Sequence, residues 1–117
     1  MKVIIPPTPL AEARLISCCL ELFRQDERLR HFMFHHQELR LRDSPAALLK
    51  ESRGYSRGER ILIQIGLDFW SGSGGSRVHD IIEHLDDENI FAFIRAILLL
   101  RGVDLYASLQ VEPPCLD

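Results

Sequence analysis

Cysteine is scarce in this sequence and badly placed for cross-linking. The three cysteines are Cys18, Cys19 and Cys115. An odd count with two adjacent members gives no disulfide framework, and a reducing, cytoplasmic location is the expectation. Long apolar runs are missing too. The opening MKVIIPPTPL has one lysine and a three-residue apolar run before its prolines, short of the core of a secretory signal. The strongly apolar stretch from Ile90 to Leu100 is broken by Arg95. A membrane span needs about 20 apolar residues, so no membrane partner is expected. Nor is there a bulk excess of basic charge. The formal net charge is −3, so nothing global draws the chain to nucleic acid.

What remains is an ordinary globular composition. Apolar residues make up 46% of the 117 and charged residues 26%, too apolar for disorder and enough for one core without staples. The expected organisation is an extended segment over 1–9, a single helical domain over 10–103, and a tail over 104–117 that can dock. Pro6, Pro7 and Pro9 hold the first segment out of helix. Charge is divided unevenly. Residues 1–60 hold 11 Lys+Arg against 8 Asp+Glu, whereas residues 61–117 hold 3 against 9. Nearly all the basic residues are arginines, which favour planar contacts to carboxylate or phosphate.

The periodicity predicts an all-α fold: five or six short helices in an irregular, orthogonal bundle around a buried central helix at about 57–71. A first helix is expected from Leu10 to Gln25, with Ala13, Ile16, Leu20 and Phe23 on one face. A second is expected from Asp26 to Arg40, with Leu29, Phe32, Met33 and His36 inward. Asp43-Ser44-Pro45 starts a third, ending near Gly54 as a left-handed stop. Ser56 and Glu59 form a capping box. The helix that follows is apolar on almost every side through Ile61, Ile63, Ile65, Leu67, Phe69 and Trp70, the pattern of an enclosed helix. Gly66 in its middle implies close approach of a neighbour. Ser76 is expected to cap a short helix that buries Val78, Ile81, Ile82 and Leu85. Asp86 or Asp87 caps the last one, buried through Ile90, Phe91, Ile94, Ile97 and Leu98. Arg101, Gly102 and Val103 fit a left-handed end.

No pattern specifies catalysis, and the expectation is a protein that is not an enzyme and carries no cofactor. The loop SGSGGS at 71–76 is glycine-rich. It lacks the following Lys-Ser/Thr and the preceding strand of a phosphate-binding loop, so it reads as a helix stop and a turn. His31 and His35 share a face if one helix carries both, but two ligands do not make a metal site. His79, Glu83 and His84 are the other metal candidates. Those histidines are five apart, about 140° around a helix, unlike the four-residue spacing of zinc-protease helices. Cys18 and Cys19 fall in an apolar stripe as core thiols. The residues that remain are Arg24, Arg28, Arg30, Arg40, Arg42, Arg53 and Arg57, with Arg60 beside them, as a possible interaction surface. The favoured function is a small protein-interaction module, an adaptor, inhibitor or regulatory subunit, acting through that surface or as a homodimer. Nucleic-acid binding through the same arginines is the alternative. A helix–turn–helix built from the last two helices is disfavoured, because Asp86, Asp87 and Glu88 would meet phosphates.

Overall fold

The structure is a computed structural model and describes residues 9–35 and 40–103. Of the expected extended segment 1–9, Pro9 alone is described, and it opens the first helix instead of staying extended; residues 1–8, the tail 104–117 and His36 lie outside these residues. The described chain forms six α-helices: α1 (Pro9–Leu22), α2 (Glu27–Met33), α3 (Pro45–Glu51), α4 (Arg57–Ser71), α5 (Val78–His84) and α6 (Asp87–Leu100). A 3-10 turn, Ser52–Gly54, follows α3. No strand occurs among the described residues, and none of their helices is long and apolar enough to cross a membrane.

The central helix is α4. Ile61, Leu62, Ile63, Ile65, Gly66, Leu67 and Trp70 are all buried, with α1, α2, α3 and α5 packed around them. Its start is the expected capping box: the Glu59 amide donates to Ser56 Oγ at 3.3 Å, and the Ser56 amide donates to Glu59 Oε1 at 3.0 Å. Its end is Gly72 in the left-handed region, φ 71°. At Gly66 a Cβ would stand 2.9 Å from the tip of the Phe23 ring and 3.2 Å from the Met33 methyl. The missing side chain is what lets those two residues lie against the helix. The opposite side of the fold is a second pairing, α6 on α1, joined to α4 where Phe69 stacks on Phe93 at 6.0 Å.

Several local expectations are corrected. The first helix stops at Leu22, short of Gln25, while Asp26 opens the second where expected, accepting the Leu29 amide at 3.0 Å. That second helix ends at Met33, well short of Arg40. Phe34 is extended and bridges Leu41 in antiparallel fashion, with His35 N–H donating to the Arg40 carbonyl and Arg42 N–H to the Met33 carbonyl. Burial of the Phe34 ring between Phe23 and Trp70 (6.1 and 5.5 Å) favours this exit over another helical turn. Gly54 is not left-handed; the chain tightens into the 3-10 turn instead. Ser76 does not cap α5, whose N-terminal residue Arg77 makes no side-chain cap. Asp86 does cap α6, accepting the Asn89 amide at 2.9 Å. The end of α6 is a Schellman motif: Gly102 N–H reaches the Leu99 carbonyl and Val103 N–H the Leu98 carbonyl, with Gly102 at φ 88°.

Candidate interaction surfaces

The arginines divide into two groups. In the first, the guanidinium groups meet the protein's own carboxylates. Arg24 forks onto Glu21, and Arg95 reaches the same carboxylate from α6 at 3.0 Å. Glu21 is fully buried, so this trio is a charge network within the α1–α6 seam. Arg28 pairs with Glu59 and lies over the Tyr55 ring at 4.7 Å. Arg42 bonds Glu51 at 2.6 Å and the Phe32 carbonyl at 2.8 Å. Arg30 is nearly buried, 3.8 Å from Glu27. Arg40 stands apart from both groups, exposed beside the Phe34–Leu41 bridge.

The second group is Arg53 and Arg57, with Arg60 and Lys50. All four are exposed and line one open cleft of about 700 Å³, together with Gln64 and Asp80. Among the described residues their side chains make no ion pair or hydrogen bond. The seven arginines singled out from the sequence thus do not form one patch; two of them do, joined by Lys50 and Arg60.

The glycine-rich loop holds an anion already, and the anion is the protein's own. Asp68 accepts from the amides of Gly74 (2.7 Å), Gly75 (3.1 Å) and Ser76 (2.9 Å), and from the Ser76 hydroxyl. Burial pushes its carboxyl up, but these four donors outweigh that and hold it below the usual carboxylate range. This bond also explains why Ser76 is unused as a cap. Glu59 is likewise held low, first by the Ser56 amide and also by Arg28.

Among the histidines, His35 lies beyond the end of α2, so it and His31 do not share a helical face. His79 approaches Glu83 at 4.0 Å on an exposed surface. His84 lines a different cleft, beside Ser56 and Asp86. Among the described residues no three His, Cys, Asp or Glu side chains gather where a metal could sit. Cys18 and Cys19 are buried free thiols. A hydrogen bond donated by its own S–H to Cys19, then burial, pushes the Cys18 thiol far up, which leaves it protonated and inert.

The largest departure from expectation is apolar. Phe91, Ile94 and Ile97 were expected inside, yet they are 58%, 46% and 38% exposed. The buried residues of α6 are Ala92, Ala96 and Leu99. On α5, Ile81 is buried while Val78 and Ile82 are 72% and 68% exposed. The cause is small-residue packing: α6 seats its alanines against α1, and the bulky side chains at the intervening angles are left outside. A single exposed apolar residue means little, but several along one helix mark a contact face. The hint in the sequence was that α6 is apolar around nearly its whole circumference, more than one neighbour can cover.

Comparison with protein-family models, with curated proteins and with solved structures finds no match to this chain. The surfaces carry whatever functional information the fold offers.

Proposed function

We propose that this chain is a small non-enzymatic protein-interaction module, and that its contact face is the outer side of α6. The observation that carries this is the exposure of Phe91, Ile94 and Ile97 along one helix. Such a face gains stability when another protein covers it, at roughly 25 cal/mol per Å² of apolar area removed from water. Val78 and Ile82 offer further exposed apolar surface on the neighbouring α5. A helix–turn–helix role fits poorly, since the helix that would enter the groove is apolar outside and begins with Asp86, Asp87 and Glu88. The two buried free thiols support a reducing, cytoplasmic setting.

The test is site-specific photo-crosslinking in cells, with benzoylphenylalanine placed at position 94 and, as a control, at the exposed position 83. A discrete protein adduct at 94, absent at 83 and lost when Phe91→Arg is added, is the expected result. The same adducts at both positions, or none at 94, would remove the reading.

A second reading rests on a different observation. Lys50, Arg53, Arg57 and Arg60 gather around one cleft whose lining holds a single carboxylate, Asp80, and this excess of cations suits a nucleic-acid backbone. It requires a mobility shift with mixed DNA or RNA that weakens steeply between low and physiological salt and disappears in Arg53→Glu/Arg57→Glu. A chain that gives no shift at low salt has no such role.

A further inference from the structure

The partner for the α6 face can be taken further, on the reading that this face is a contact surface. Asp87, Phe91, Ile94, Leu98 and Arg101 follow at steps of four, three, four and three, so they lie along one line of the helix. The line begins with an exposed acid and ends with an exposed base. Neither Asp87 nor Arg101 has an ion-pair partner among the described residues. The ends are reinforced. Asp86 and Glu88 flank Asp87, and the Arg14 guanidinium lies beside Gly102, 2.7 Å from where a Cβ would stand.

The two charges are placed symmetrically about Ile94: Asp87 and Arg101 are each seven residues from it, two turns away and about 20° to either side. A second α6 laid antiparallel across the first, with a two-fold axis at Ile94, therefore sets Ile94 against the second copy's Ile94 and Asp87 opposite the second copy's Arg101, with Phe91 and Ile97 on the two flanks of the seam. The helix dipoles also oppose favourably. A parallel pairing would set acid against acid and base against base, so the charge order selects the antiparallel one. The contact is self-complementary, as a two-fold dimer interface must be.

We propose that two copies of this chain associate through α6, antiparallel about an axis at Ile94, covering Phe91, Ile94 and Ile97 of both. Packed helices lie about 8–10 Å apart and Cα atoms stand about 2.3 Å from each axis. The two Ile94 Cα atoms thus fall about 3.5–5.5 Å apart, which at the wider spacings is within disulfide reach.

Light scattering and sedimentation of the purified full chain, across a wide concentration range, should show a particle of twice 13.5 kDa. Asp87→Arg and Arg101→Asp should each weaken association roughly tenfold, by reversing two exposed contacts per dimer, and the double swap should restore it. Ile94→Cys, with Cys115→Ser, should form a covalent dimer on mild oxidation, since Cys18 and Cys19 are buried; Glu83→Cys should not. A monomer at every concentration overturns the proposal, as does a double swap no better than its parents. A monomer that dimerises only once residues 104–117 are removed means the tail covers the face, and also overturns it. Failure here is separable from failure of the interaction reading. A monomer whose position-94 adduct contains a different protein keeps the face and removes the self-partner; a monomer with no adduct removes both.

Discussion

Replacing Gly74 by alanine should unseat the loop that follows α4. The new Cβ would stand 1.8 Å from the Gln64 carbonyl oxygen, 2.7 Å from its carbonyl carbon and 3.0 Å from Asp68 Cγ. Even a close Cα–H···O contact keeps about 3.3–3.6 Å between carbon and oxygen, so the loop must lift by more than an ångström. The obstacle is helix backbone, which cannot yield without breaking α4. Lifting the loop stretches the three amide bonds to Asp68, now 2.7–3.1 Å, beyond hydrogen-bond length. Hydrogen bonds to a charged group contribute about 1.5–3 kcal/mol each. Asp68 is only half-buried and the freed amides regain water, which brings the combined loss down to about 3 kcal/mol. Domains of this kind have about 5–15 kcal/mol in total, so the effect is a large fraction of stability. Urea unfolding followed by circular dichroism should show a midpoint lowered by about 1–2 M at an unchanged slope. Gly75→Ala is the internal control. Nothing lies within 4 Å of its Cβ position, and only its φ of +70° opposes alanine, a cost of about 1–2 kcal/mol. If Gly74→Ala costs no more than Gly75→Ala, the loop is not wedged against α4 and the reasoning fails.

Other outcomes follow from the same contacts. Asp68 and Glu59 are held below the usual carboxylate range in the folded chain; their contribution is complete above the unfolded value of about 4 and is lost as pH falls through the folded values. Stability measured between pH 6 and 2 should fall accordingly, and less steeply in Asp68→Asn. Glu21→Gln leaves Arg24 and Arg95 facing a neutral group in a buried seam. Because both arginines retain some exposure, the cost should be about 2–3 kcal/mol, below the loss for a fully enclosed pair; a neutral effect in thermal unfolding would show that the trio is incidental. Cys18 should resist a thiol reagent in the native chain and react once urea unfolds it; rapid labelling without denaturant would contradict its burial.

Sequence patterning carried much of this fold because its strongest signals were local and redundant. The Ser56–Glu59 box, the all-round apolar α4, the stop at Gly72 and the Gly102–Val103 turn are each set by residues within one or two helical turns. Where a distant partner decided, the sequence was opaque. Ser76 reads as a cap until Asp68 engages it. Phe34 leaves the helix because Trp70, far away in sequence, holds its ring together with Phe23. Periodicity located the apolar residues of α6 but not the angle at which the helix is seated, so it could not separate Ala92 and Ala96, which face α1, from Phe91 and Ile94, which do not. The arginine cluster failed to appear as one patch for a related reason: carboxylates that neutralise Arg28 and Arg42 come from other helices.

The Glu21–Arg95 bond bears on that seating. A rod as greasy as α6 could roll against α1 through several orientations of similar energy, each hiding a different set of its aliphatic groups. A guanidinium at position 95 tethered to an enclosed carboxylate at position 21 works like a detent on a dial, admitting one setting. Loss of that tether would cost more than stability. It would let the helix turn and withdraw its outer stripe from view, so a single polar contact on the inner side governs which surface the molecule shows.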